Sequence, residues 1–232
     1  MFTLVRINVP STVNDPDGRV VIHVNPDHIW DYVQKNHGSW RSKDVKPLYM
    51  TRRHLQDDTS LIVHVSDPDA LTDFLLKHIA TASYVRGIWV INMAKMRFFK
   101  LPADRPRDFS RFTVTVDAKP DHLEDIYKEI SSYEPGKNIM VNYIAHTFQS
   151  FNESIMTSVL ARGREHMDAF VEDCVMSIEG VLNAELTYIS KSLRLVSPED
   201  WWESVGPYTF APGGKRLKDL EPAHDDTLMA SC

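Results

Sequence analysis

Apolar positions along the chain fall first at alternate residues and then at every third or fourth, and this order runs through twice. In the first run, "RVVIHV" places Val20, Ile22 and Val24 on one side, which predicts a strand. Asn25 suits a helix cap, Pro26 the first helical position, and Asp27 the positive end of the helix dipole. Ile29 and Val33 then share a helical face, and "NHGS" ends the helix. "VKPLYMTRRHL" predicts a strand, "QDDT" a turn and "SLIVHV" a further strand. A second helix starts at Asp67, Pro68 and Asp69, with Leu71, Phe74, Leu75, His78 and Ile79 as its apolar stripe. Gly87 separates it from a last strand, "IWVINMAKMRFF".

The second run repeats this order. "RFTVTVDA" alternates Phe112, Val114 and Val116, and the helix after Pro120 carries Leu123, Ile126, Tyr127 and Ile130. "IMVNYIAHTF" and "SIMTSVLA" predict two strands around the turn "QSFNE". Met167, Phe170, Val171, Cys174, Val175 and Ile178 stripe the second helix, which ends at Gly180 before the strand "VLNAELTYISKSLRLV".

A shift of 94 residues (26 to 120) lays Pro26, Asp27, His28 and Asp31 on Pro120, Asp121, His122 and Asp125, Tyr49 on Tyr143, and Ser60 on Ser154. The repeated Pro-Asp-His reads as a helix start: proline sets φ and aspartate favours the dipole. Each run is strand-helix-strand-strand-helix-strand, so the fold expected is α+β, two tandem ferredoxin-like (βαββαβ) units. Helices cover one sheet face, and pairing of the two bare faces as an intrachain pseudo-dimer would hide the other. The expected domains are 1–102, with "FTLVRINV" as an extra N-terminal strand, and 111–198, joined by a Pro-rich linker at 103–110. An aromatic, Pro/Gly-rich tail at 199–232 follows, and Ser197 and Pro198 suit the start of a short helix there.

Composition narrows the function. The net charge of −6 gives the chain no general attraction for nucleic acid. No apolar run is long enough to span a bilayer, and the N-terminus lacks a signal-peptide pattern. The two cysteines, Cys174 and Cys232, form neither a CxxC pair nor a disulfide framework, so a reduced cytoplasmic location is expected.

Both halves, over residues 19 to 198, resemble the effector domain of the leucine-responsive regulator family (Lrp/AsnC). "NIMVNYIAHTFQSFNESIMTSVLARGREHMDAFVEDCVMSIEGVLNAELTYISKSLRL" carries the better match. The chain lacks the three helices of a helix-turn-helix, so the resemblance implies an effector module without a DNA reader. It further implies a small-molecule effector, an amino acid among the options, and a homo-oligomer or co-assembly with a related regulator. In that family the turn between the second and third strands lines the ligand site. Here this turn holds Asp58 in "HLQDDTS" and Asn152 in "FQSFNES", without the family's usual glycine.

Parity adds further candidates. With Val20, Ile22 and Val24 turned inward, His23 points to the open sheet face, and so does His64 between Val63 and Val65. First and third strands are neighbours in this topology, so the two histidines would approach each other, with Arg52 and His54 beside them. They either line a polar sheet surface or hold a metal ion or haem iron. No cofactor is otherwise expected. GxSxG, P-loop, GxGxxG, HExxH and EF-hand motifs are all absent, so the reading leans away from catalysis. The alternative is a dimeric α/β-barrel enzyme, or a haem- or metal-binding protein, working on the open sheet face.

Overall fold

A computed structural model describes residues 1–25, 27–54, 56, 58–101, 108–134, 136–149 and 152–211 of the chain. It divides into two compact units, Met1–Ile91 with Lys191–Val196, and Asn92–Ser190 with the described residues from Ser197 on. Most of the expected linker, 103–107, lies outside the described residues, as does the tail from 212.

The first unit opens with β1 (Phe2–Asn8). Both parities of this strand are apolar and buried: Phe2 and Leu4 on one face, Val5 and Ile7 on the other. A strand of that kind belongs in the middle of a sheet. There follow β2 (Thr12–Asn14), β3 (Val20–His23), α1 (His28–Trp40), β4 (Val45–Arg53), β5 (Asp58–Val65), α2 (Pro68–Phe74) and β6 (Gly87–Phe99). The sheet order is β4-β5-β1-β6, with β6 contributing its first residues, Gly87–Ile91, to this unit.

This corrects the strand order expected from the sequence. The segment at Val20 is not the opening strand; β2 and β3 form a separate hairpin, paired with each other. Val20, Val21 and Ile22 are all exposed there. β1, expected as an extra strand, takes the central place, because it is longer and apolar on both faces.

Asn25 is also not the helix cap. Asp27 occupies that position, and the Asn25 side-chain oxygen accepts a hydrogen bond from the Asp27 N–H at 2.9 Å, an Asx-turn leading into the helix. Ile29, Val33 and Trp40 bury the inner face of α1. The Asp67 carboxylate caps α2 by accepting from the Asp69 N–H at 3.0 Å. The helix then widens into a π-helical turn, Leu75–Ile79.

The second unit contains the remainder of β6, then β7 (Ser110–Ala118), α3 (Leu123–Ser131), β8 (Ile139–Gln149), β9 (Asn152–Ala161), α4 (Arg164–Ala169), β10 (Val181–Arg194), α5 (Pro198–Val205) and β11 (Thr209–Phe210). Its order is β10-β7-β9-β8-β6-β11, β10 contributing residues up to Ser190. In both units the four strands therefore stand in the order last, first, third, second, that of the ferredoxin-like βαββαβ unit. α4 widens into a π-helical stretch, Phe170–Val175, as α2 does.

Strand registers measure the duplication. Tyr49 faces Ile62 and Tyr143 faces Ser158, so the copies stand 94 residues apart on the second strand (49 to 143) and 96 on the third (62 to 158). Ser60 therefore corresponds to Met156 and not to Ser154. Asn8 faces Asp58 and Asp117 faces Ser154, an offset of 109 on the first strand (8 to 117). The excess of 15 residues (109 against 94) is the β2–β3 hairpin, an insertion in the first copy. A β-bulge recurs as well, at Leu48 and at Asn142, 94 residues apart (48 to 142).

The helix-covered cores follow the same plan. Ile29, Val33, Met50, Leu61, Leu71, Phe74 and Ile79 pack in the first unit. Ile126, Ile130, Ile144, Ile155, Met167, Phe170 and Val175 pack in the second. Leu195 completes the first core and Phe99 the second, 96 residues apart (99 to 195). Leu195 follows β10 and lies in the first unit, where its N–H donates to the Leu48 carbonyl at 2.9 Å. Each unit thus takes in the end of the other copy's last strand.

Candidate functional site

The histidines singled out by parity do not lie on paired strands. His23 lies on the exposed β2–β3 hairpin, and β3 does not pair with β5. His64 faces Phe2 across β1, its ring 5.1 Å from the phenyl ring. The strand pairing expected to bring the two histidines together is therefore not present. Arg52 is not on the open face either: the bulge at Leu48 resets the parity of β4, and Arg52 pairs with Asp27 at the start of α1. His54 sits in the exposed turn after β4. Asp58 is buried, with Arg53 Nε at 2.9 and 3.0 Å from its two oxygens and Arg6 Nε at 3.6 Å. Asn152 opens β9, and its side chain lies outside the described residues.

Chemistry concentrates elsewhere, where the first helix of each unit meets the second strand and the incoming strand end. In the first unit Asp27 accepts from Arg52 and from Lys191, the latter at 2.6 Å. The Lys191 ammonium also lies 5.9 Å from the Trp30 ring centre. Asp27 is held below the usual carboxylate range, chiefly by the Lys191 hydrogen bond and then, against the opposing effect of burial, by the charge of Arg52. Its two cations and its ring leave this junction closed upon itself.

In the second unit His146 stands where Arg52 stood (52 to 146), and Lys95 where Lys191 stood (95 to 191). His146 is buried on β8, its ring edge-on to Tyr127 of α3 at 4.8 Å and 76°. Tyr127 donates its hydroxyl proton to the Lys95 carbonyl. Burial pushes the Tyr127 phenol up to about 12, against the opposing pull of the Arg97 charge. Tyr127 is thus a neutral hydrogen-bond donor at ordinary pH. Lys95 pairs with Glu124, whose carboxyl that hydrogen bond holds low.

A bulge in β6 aims these groups. Ala94 faces His146 and Arg97 faces Ile144, so β6 carries one extra residue here, and Lys95 takes a left-handed φ of 46°. The half-buried Arg97 guanidinium consequently lies over Tyr127 at 5.4 Å and over Phe210 at 4.9 Å.

Phe210 is held by the tail. Ser197 caps α5 as its sequence suggested, its hydroxyl oxygen accepting from the Asp200 N–H at 3.1 Å. Trp201 packs edge-on to Phe98 at 5.7 Å. β11 runs parallel to the end of β6, and the Phe210 carbonyl accepts from the Lys100 N–H at 3.0 Å. None of these site residues stood out from local pattern. The signal that would have found them is the duplication itself, through the offsets linking Arg52 to His146 and Lys191 to Lys95.

Among the described residues no group of three or more His, Cys, Asp and Glu could hold a metal ion. No described helix is long and apolar enough to cross a membrane.

The fold defines the class: α+β, built from ferredoxin-like units. Solved structures agree. A protein of Lactobacillus acidophilus NCFM, provisionally named a monooxygenase, matches with a TM-score of 0.52 and 10% identity, over 83% of this chain and 92% of its own. An anthrone oxidase-like protein matches with a TM-score of 0.50 and 8% identity, over 84% and 94%. A mutant chlorite dismutase of Candidatus Nitrospira defluvii follows with a TM-score of 0.48 and 11% identity, over 82% and 91%. These structures are dimeric α/β-barrel folds, and at such identity the likeness is one of fold. No family model and no curated protein matches the chain, so the resemblance to the Lrp/AsnC effector domain is not confirmed.

Proposed function

We propose that the chain is an enzyme of the dimeric α/β-barrel type that oxidises an activated C–H group of an aromatic ketone or phenol with dioxygen. The observation that carries this reading is the cluster of His146, Tyr127 and Arg97 in the second unit. It unites an imidazole, a phenol that fixes the imidazole ring, and a positive charge among aromatic rings, and its counterpart in the first unit lacks this combination. The names of the two structures matched at a TM-score of 0.50 or above, a monooxygenase and an anthrone oxidase-like protein, supply the reaction class. This reading replaces the regulatory one preferred on sequence grounds.

Imidazole is the side chain that exchanges protons near neutrality, so His146 takes the proton of the activated carbon. Tyr127, its hydroxyl proton held by the Lys95 carbonyl, orients the His146 ring edge-on, and the Arg97 charge offsets the negative charge that develops on the substrate. The carbanion then reacts with dioxygen. A CH2 group gives up two hydrogens and four electrons; one oxygen atom becomes the new carbonyl and the other leaves as water. The chemistry needs no residue to change oxidation state.

Oxygen consumption with a panel of anthrones and naphthols tests the reading. Turnover is expected for the native chain, with a loss of about 100-fold or more in His146→Ala. Silence across the panel would remove the oxidase reading. Saturable binding without oxygen uptake would instead return the chain to the ligand-sensing class.

A further inference from the structure

The two helix–sheet junctions differ in how their cations are balanced. Arg52 has Asp27, Arg53 has Asp58, Arg162 has Asp108 at 2.9 Å, and Arg164 has Asp168 at 3.4 Å. Arg97 is half-buried, yet no described residue gives it a carboxylate. Its guanidinium carbon lies over the Tyr127 and Phe210 rings, 5.4 and 4.9 Å from their centres. A guanidinium carries five N–H donors in a planar fork. The rings fix its position, and no described residue accepts a hydrogen bond from it.

The first copy shows what this site lacks. The residue matching Arg97 there (97 to 193) is Leu193, packed against the core. The residue matching Asp27 in the second copy (27 to 121) is Asp121, whose side chain is 80% exposed and lies 3.8 Å from His122 Nε2. The first junction therefore carries its own carboxylate and no extra cation, whereas the second carries an extra cation and no carboxylate for it. Glu124, on the same helix as Tyr127, is already engaged by Lys95.

We propose that Arg97 docks the carboxylate of an aromatic acid, the external anion taking the part that Asp27 plays inside the first unit. A planar carboxylate matches the guanidinium edge with two parallel hydrogen bonds. The inference deepens the reading of this site as one for an aromatic substrate and rests on it. It makes Arg97 a binding residue and Phe210 a positioning residue that acts by holding Arg97.

The test is calorimetric titration of the full chain with 1-naphthoate and with its neutral counterpart, 1-naphthalenemethanol. Naphthoate is expected to bind about 10- to 100-fold more tightly, the usual worth of a charge-assisted pair. Arg97→Leu, which installs the residue of the first copy, is expected to abolish that preference. Arg97→Lys keeps the charge without the fork and is expected to retain only part of it. Arg164→Gln, at an exposed ion pair, is expected to leave it intact. Circular dichroism checks that the variants are folded, and should Arg97→Leu fail to fold, Arg97→Lys carries the test. Equal binding of the two compounds by the native chain, no binding of either, or full preference in a folded Arg97 variant would each overturn the proposal. A naphthoate preference without oxygen uptake from any compound keeps the anion site and discards the oxidase. Oxygen uptake with neutral anthrones and no naphthoate preference does the reverse.

Discussion

The first helix meets the second strand in both units, and both junctions hold a lysine delivered by the end of the other copy's last strand. In the first unit that lysine, with Arg52, neutralises Asp27 and leans on Trp30. In the second it engages Glu124, while His146, Tyr127 and Arg97 stand beside it with no internal carboxylate for the arginine. The same backbone plan thus yields a closed ion pair in one copy and a cluster of imidazole, phenol and guanidinium in the other. A duplicated fold keeps its core positions, because apolar packing needs volume at those points. Its polar junctions are free to diverge, because partly exposed ion pairs are worth little to stability.

The largest expected effect concerns the cores, where the copies should behave alike. Phe99→Ala and Leu195→Ala empty matching positions, and each is expected to cost about 3–5 kcal/mol, read from denaturant midpoints. A large loss at one site and none at the other would break the structural equivalence of the two units.

Next comes the turn before the last strand. Gly180 has a φ of +88°, and the residue 96 before it (84 to 180), Tyr84, has a φ of 65°. A Cβ on Gly180 would stand 2.3 Å from the His122 Cβ, whereas Tyr84 turns its ring toward His28 at 5.4 Å. Gly180→Ala should therefore cost about 2–3 kcal/mol from the left-handed backbone and the clash together. Tyr84→Gly should change stability by less than about 1 kcal/mol, since relief of strain offsets the lost contact. Thermal unfolding of the pair decides whether the same turn is built by different means.

The smallest effects separate the polar junctions by pH. Asp27 has a depressed folded-state pKa, so its contribution is present above the ordinary aspartate range and lost as pH falls through the folded value. Asp27→Asn should cost about 1 kcal/mol at pH 7, and its difference from the native chain should shrink below pH 4. Tyr127 is shifted the other way. Its contribution is complete below pH 10 and lost as pH rises toward about 12, and Tyr127→Phe should lack that alkaline loss. An unchanged acid limb in Asp27→Asn would show that the first junction is not the closed pair drawn here.

Much of the fold was legible from residue order. The alternating strands, the acid-and-proline helix starts, the stripes of α2 and α4 with their π-helical continuations, and the Ser197 cap are local patterns set by sterics and short-range hydrogen bonds. The duplication was visible too, because those patterns recur at a near-constant offset. The site was not legible. A bulge of one residue reversed the parity of Arg52, and parity was the whole basis for grouping it with His23 and His64.

What the sequence determined by itself is therefore the unit and its repetition. Only the tertiary structure decided that Phe2–Asn8, and not the segment at Val20, stands at the centre of the first sheet. Both stretches are apolar enough to be strands, and the choice is made by long-range pairing and two-sided burial. Only the tertiary structure, likewise, brought Arg97, Tyr127, His146 and Phe210 together from four distant elements. The ends of β6 and β10 each belong to the unit they run into, and no local pattern encodes where a strand finds its partner.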